Sequence, residues 1–251
     1  MSIFELLKSG KIDQLLLELK EHGIDTKDQY GDTILHHVVA NKNITLAKTL
    51  IDEYHANVNV QNKFNHTPLL IATLHKDLEM MHMLLQRNAS TRLATDIGLT
   101  PIQLAAEQSN LSAVVLLYEV DHFFGKPPFG GTPLHLVADS LNDYGYNEEL
   151  VSFLLGIIPE QDLQQEKDNL GRTVYDAFSD KDDYYLNRFQ STVANHNLKK
   201  ISSNKAPETI TYANANKKRK ERENRLYISE NHGNKDCNTK KRKSVIKKYK
   251  M

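Results

Sequence analysis

The sequence predicts an all-α fold: a solenoid of stacked helix-turn-helix units whose connecting turns project as β-turn fingers, followed by a disordered C-terminal tail. Three observations lead there. A short motif recurs five times at a spacing near 33 residues. Apolar segments with helical spacing follow the motif, two in most copies. The zero formal charge of the 251 residues (32 Lys+Arg, 32 Asp+Glu) is the sum of two opposite bodies. Residues 197–251 hold 17 basic and 5 acidic residues, net +12, and residues 1–196 hold 15 basic and 27 acidic residues, net −12.

In chain order, Ile3–Lys8 and Ile12–Lys20 read as a helix pair around Ser9-Gly10, with no turn motif before it. The motif then appears as Gly31-Asp32-Thr33-Ile34-Leu35-His36. It recurs as Asn65-His66-Thr67-Pro68-Leu69-Leu70, as Gly98-Leu99-Thr100-Pro101-Ile102-Gln103 and as Gly130-Gly131-Thr132-Pro133-Leu134-His135. A decayed fifth copy is Gly171-Arg172-Thr173-Val174-Tyr175-Asp176. Successive threonines lie 34, 33, 32 and 41 residues apart. Gly, or Asn65, suits the positive φ of a tight turn. Each threonine stands where a hydroxyl can serve the free N–H groups of a helix start. Pro68, Pro101 and Pro133 occupy the first helical turn, where a missing N–H is harmless. Second apolar segments follow at 46–51, 80–85, 114–117 and 150–155. The fourth repeat is eight residues longer than 33. About five of these enter near Ser140–Asn147 and about three near Pro159–Glu166. Thr173–Phe178 and Asp182–Val193 read as a closing pair with a polar outer face.

These motifs resemble the ankyrin repeat, whose period is about 33 and whose signature is Thr-Pro-Leu-His-x-Ala. The resemblance covers residues 1–196. It implies about five repeats with helical caps, a protein-binding scaffold and no enzymatic activity. It makes His36 and His135 structural. Leu70 and Gln103 stand at the signature histidine, so those repeats are expected to lose its link to the neighbouring turn.

No chemistry-bearing constellation competes with that reading. The remaining histidines lack ligand spacing, and His36-His37 cannot form a pair because adjacent helical residues face apart. The single cysteine, Cys237, builds neither a disulfide nor a cysteine zinc site. Phosphate loops, nucleophile elbows and His-Glu-x-x-His are absent from the sequence. Asp182-Asp183 reads as a solvated helix face. No cofactor is expected, nor a membrane partner, since no apolar run approaches the ~20 residues a span needs.

Surface is what remains. The residues before the turn Gly or Asn are Tyr30, Phe64, Ile97, Phe129 and Leu170. They either pack on one another along the array or form an apolar stripe that anchors a partner. The segment Phe123-Phe124-Gly125-Lys126-Pro127-Pro128-Phe129 either plugs a gap between repeats or adds an exposed patch, and Tyr144 and Tyr146 in the nearby insertion favour the patch. Both prolines are expected to prevent ladder pairing. Partner-binding candidates are therefore Tyr30, Phe64, Ile97, Phe123, Phe124, Phe129, Tyr144 and Tyr146.

Residues 197–251 lack apolar periodicity and are expected to be disordered, apart from a short helix near 218–228. They carry Lys217-Lys218-Arg219-Lys220 and Lys240-Lys241-Arg242-Lys243, which read as two independent nuclear-localisation clusters for an import receptor. A nuclear or nucleo-cytoplasmic protein, not secreted, is the corresponding expectation. Alternatives are a nucleic-acid-associated factor that holds phosphates with the tail, and a host-directed ankyrin effector of an intracellular pathogen. The opposite charges also suggest that the acidic repeats bind the chain's own tail.

Overall fold

The computed structural model describes residues 3–202. The chain divides into two units, Met1–Lys199 and Lys200–Met251. Of the disorder expected from residue 197, the stretch 197–202 is helical instead; the two basic clusters, the short helix near 218–228 and the rest of that expectation lie outside the described residues.

Among the described residues there are fourteen helices and no strand. They are α1 (Ile3–Lys8), α2 (Ile12–His22), α3 (Ile34–Ala40), α4 (Ile44–Asp52), α5 (Pro68–Leu74), α6 (Leu78–Leu85), α7 (Pro101–Glu107), α8 (Leu111–Asp121), α9 (Pro133–Asp139), α10 (Leu141–Tyr144), α11 (Glu148–Ile157), α12 (Asp162–Gln165), α13 (Val174–Ser179) and α14 (Asp183–Ser202). The inner helices α3, α5, α7, α9 and α13 stack in that order, and the outer helices α4, α6 and α8 stack behind them.

Local chemistry sets the boundaries. Each motif threonine is the extended residue before an inner helix. Outer helices start at Asn43, Asp77, Asn110 and Asn147, whose side-chain oxygens accept from the backbone N–H of Leu46, Met80, Ala113 and Leu150. Each such cap contributes about 1 kcal/mol. The first three stand ten residues after their threonine and Asn147 fifteen after Thr132, which measures the five-residue insertion directly. That insertion folds as α10, and the later one as α12.

One continuous core runs from Ile3 to Phe189 through Leu50, Met81, Val114, Leu134 and Leu150. A smaller cluster of Leu70, Leu99, Leu104 and Leu136 lies apart from it, with Phe124 against it. The closing helix is longer than expected: α14 continues through Val193 and residue 196 to Ser202. Between 183 and 202 the chain has neither Gly nor Pro to stop it. Phe178 of α13 stacks on Phe189 of α14 with ring centroids 4.3 Å apart and planes 5° from parallel, and both are fully buried.

Candidate partner-binding surface

Each finger is built from its own sequence outward. In four of the five fingers the residue five before the motif threonine is a side-chain acceptor that ties the turn; in the fourth finger that residue is Pro127. Asp28 Oδ1 accepts from the N–H of Tyr30 (2.8 Å) and Asp32 (2.9 Å). Asn62 Oδ1 accepts from Phe64 and His66, both at 2.9 Å. Thr95 Oγ1 accepts from Leu99 (3.1 Å), and Asp168 Oδ1 accepts from Leu170 and Arg172, both at 2.9 Å. Burial opposes ionisation of Asp28 and Asp168. The donors around them outweigh it, including the His37 ring and the Arg172 side chain, so both carboxyls lie below the usual range. The regularity is visible in the sequence once the repeats are aligned on threonine, with Pro127 as the exception.

Neighbouring fingers are laced by single backbone bonds. Lys63 N–H donates to Tyr30 C=O (3.0 Å), Asp96 N–H to Phe64 C=O (3.1 Å) and Asn169 N–H to Phe129 C=O (2.8 Å). The matching donor toward Ile97 would be Pro128, which has no N–H, so the expected break occurs at that one junction.

A second lacing comes from the signature position. His36 Nδ1 accepts from Thr33 N–H (3.1 Å), and its Nε2 donates to His66 C=O (3.0 Å). His135 does the same between Thr132 N–H (2.9 Å) and Arg172 C=O (3.0 Å). Both histidines are therefore structural, and burial holds His36 below its ordinary pKa. The expectation for Gln103 is overturned. Its Oε1 accepts from Thr100 N–H (3.1 Å) and its Nε2 donates to Phe124 C=O (3.2 Å), so a glutamine amide reproduces the two-ended reach of the imidazole. Leu70 makes no such link and instead joins the leucine cluster.

The tips do not bury one another. Tyr30, Phe64, Ile97 and Phe129 are 53%, 49%, 55% and 52% exposed, and Leu170 77%. Phe123 is exposed, with the Arg92 guanidinium 4.7 Å from its ring centroid. Tyr144 is exposed, with the Lys76 ammonium 4.7 Å from its ring centroid. Two candidates turn inward. Phe124 packs on the leucine cluster. The Tyr146 hydroxyl shares a 2.7 Å hydrogen bond with Thr192 and its ring edges onto Phe178, so it anchors the insertion to the closing helices. Burial pushes its phenol up to about 12.

Asp28, Asp32 and His37 offer ligand-type atoms within 4.8 Å of one another, a grouping that the scattered histidines had not suggested. The finger already uses them: His37 Nε2 lies 3.0 Å from Asp28 Oδ2, and Asp32 Oδ1 accepts from Asn62 Nδ2 at 2.8 Å.

A family model described as ankyrin repeats, in three copies, matches residues 5–94. The solved structure of an ankyrin repeat domain from Acinetobacter baumannii superposes with a TM-score of 0.64 at 21% identity, covering 78% of this chain and 97% of that one. Residues 5–94 are thus matched as ankyrin repeats, and the described residues share the ankyrin-repeat fold. Ankyrin repeats generally serve as non-enzymatic scaffolds for protein–protein interaction. Similar curated proteins include the pig NF-kappa-B inhibitor alpha, 24% identical over 156 residues (56% of this chain, 47% of that protein). The chicken nuclear factor NF-kappa-B p105 subunit is 26% identical over 121 residues (46% of this chain, 12% of that protein). The chain spans less than half the length of the curated relatives it matches.

The ankyrin array is not evenly charged. Residues 1–94 hold 10 basic and 11 acidic residues, net −1, whereas residues 95–196 hold 5 basic and 16 acidic residues, net −11. Several cations of the acidic half are already engaged. Arg172 contacts Asp168 (2.7 Å), Asp139 (3.0 Å) and Asp180 (3.4 Å), Lys126 contacts Glu166 (3.6 Å), and Arg188 contacts Glu148 (3.2 Å). Because Arg172 belongs to the fifth finger and Asp139 ends α9, finger and inner-helix end share one surface.

Proposed function

We propose that this ankyrin array is a non-enzymatic regulator that holds a partner protein against its finger tips, and that the clusters Lys217–Lys220 and Lys240–Lys243 direct it to the nucleus through an import receptor. The observation that carries the first part is the row of half-exposed apolar side chains Tyr30, Phe64, Ile97 and Phe129, presented on turns fixed by side-chain and backbone hydrogen bonds. A rigid aromatic tip loses little entropy when a partner covers it, which favours it as an anchor. The names of the NF-kappa-B relatives are compatible with a regulatory role.

The test substitutes Phe64→Ala with Phe129→Ala and compares affinity purification of partners, with circular dichroism as the control. The expected result is loss of capture with an unchanged spectrum. If helicity falls instead, the tips are core and the proposal fails. For the address, a fluorescent fusion with either basic block replaced by alanine is expected to shift toward the cytoplasm, and an unchanged distribution refutes that part.

A further inference from the structure

Three carboxylates follow one another along the ends of the inner helices in the acidic half: Glu107 closing α7, Asp139 closing α9 and Asp143 in α10. Arg172 neutralises Asp139. The carboxylates of Glu107 and Asp143 have no hydrogen bond or ion pair among the described residues. Burial raises the pKa of Glu107, and the charges of Asp143 and Asp139 raise it further. The protein thus keeps an uncompensated charge in a half-buried position.

A cleft of about 410 Å³ adjoins this row, lined by Lys76, Gln108, Ser109, Tyr144, Glu148 and Glu149 among others. Gln108 is 8% exposed, and its Oε1 has no hydrogen-bond partner; neither has the buried Oγ of Ser109. Among the described residues these are two of the three buried side-chain oxygens left in that state, the third being Thr100 Oγ1. Orphaned buried oxygens of this kind call for a donor. The wall shows which donor suits it: Lys76 lies over the Tyr144 ring and donates to Gln108 C=O at 3.2 Å. Oxygen acceptors and carboxylates together select a cation rich in N–H groups, as Lys76 itself illustrates on the Tyr144 ring.

We propose that the face of repeats three and four binds a basic segment of the partner, with an arginine or lysine side chain seated between the Glu107–Asp143 carboxylates and the cleft beside Tyr144. This deepens the scaffold reading and rests on it. The net −11 of residues 95–196 supplies long-range attraction for such a segment. Exposed Leu74, whose C=O accepts from Gln108 Nε2 at 3.3 Å, supplies an apolar contact beside it.

The test uses the full chain and fluorescein-labelled dodecapeptides of alternating Arg-Leu, Glu-Leu and Ser-Leu, read by fluorescence anisotropy. The Arg-Leu peptide is expected to bind at least about tenfold more tightly than the others, more so at low salt. Glu107→Gln with Asp143→Asn should erase that preference. Asp13→Asn with Glu53→Gln makes the same change in net charge elsewhere and should change affinity less than about twofold. Equal loss in both double variants means diffuse attraction and overturns the site, as does the absence of a preference for Arg-Leu. Glu107→Gln should also raise Tm, because it removes a charge the fold disfavours, and a lower Tm would mark Glu107 as structural and end the proposal. If the Phe64/Phe129 variant loses partner capture while the carboxylate variant binds Arg-Leu normally, the basic-segment idea falls and the scaffold reading stands. If neither variant changes any binding, both fall.

Discussion

The signature position offers a perturbation whose size the structure sets. His135 is 2% exposed, accepts from Thr132 N–H and donates to Arg172 C=O. His135→Leu keeps most of the volume, so the cavity contribution is small. What it removes is different at the two ends. Thr132 N–H is left without the imidazole acceptor, a desolvated donor costing about 1–3 kcal/mol. Arg172 C=O keeps its bond from Asp168 N–H, at 3.0 Å, so that end loses only a net bond of about 0.5–1.5 kcal/mol. The sum is about 1.5–4.5 kcal/mol, a Tm drop of roughly 3–18 °C. His135→Gln should cost less than about 1 kcal/mol, because Gln103 spans the equivalent gap with both ends bonded. Urea unfolding followed by circular dichroism, compared at constant m-value, measures both variants. Equal destabilisation by Leu and Gln would refute the account, since it assigns the energy to the two hydrogen bonds and not to imidazole shape.

Three further outcomes follow from the same geometry. Burial sets the folded His36 pKa below the ordinary 6.5, so the unfolded chain binds more protons just below that value. Stability is therefore complete above about 6.5 and falls as pH drops through the folded pKa, and His36→Gln should flatten that decline in melts between pH 7.5 and 5. Phe178→Ala removes a fully buried ring stacked on Phe189 and should cost about 3–5 kcal/mol, with hydrogen exchange opening α13 and α14 before α5 and α6. Gly31→Ala and Gly171→Ala share a φ near +80°, which costs about 1–2 kcal/mol at either site. At Gly31 the new Cβ would also stand 2.9 Å from Lys63 N, whereas at Gly171 nothing lies within 4 Å. The first should lower Tm distinctly more than the second.

The repeat helices were legible because their signals are local, whereas α10, α12 and the end of α14 were not. A threonine, a proline and an apolar period within seven residues place α5, α7 and α9 without reference to anything distant. The first cap was legible for the same reason, and Ile3–Lys8 was read to the residue. What escaped depends on partners far along the chain. Gln103 reaches a carbonyl 21 residues away, so its bond is invisible at the motif itself. Tyr146 and Tyr144 sit two residues apart in one insertion. The first turns inward because Thr192 and Phe178, 46 and 32 residues downstream, are waiting for it. Exposure of the tips was likewise undecidable from composition, because both readings require the same apolar residues. The concentration of acid in residues 95–196 was countable from the start, but it mattered once the inner-helix ends had been placed on one surface.

The break in the finger ladder falls at the boundary between these two charge regimes, and its energetics explain why the fold tolerates it. Without an N–H at 128, the array forgoes one interfinger bond of about 0.5–1.5 kcal/mol. Proline at the same position restricts the unfolded chain and returns about 0.4–1 kcal/mol. The two terms nearly cancel, so the junction is not a weak point in free energy. It is a change in the kind of lacing. On the N-terminal side, fingers are joined bond by bond along the backbone. At the junction the Gly98 backbone and the Pro128 ring approach closely, since a Cβ added at Gly98 would stand 3.0 Å from Pro128 Cβ, and Gln103 reaches Phe124 C=O. Beyond it the backbone bond returns between Phe129 and Asn169. The rigid spacing of the tips is thus kept across a site where the chain also inserts its aromatic loop and begins its acidic surface, which lets one half of the array vary in charge and loop length without disturbing the register of the stripe.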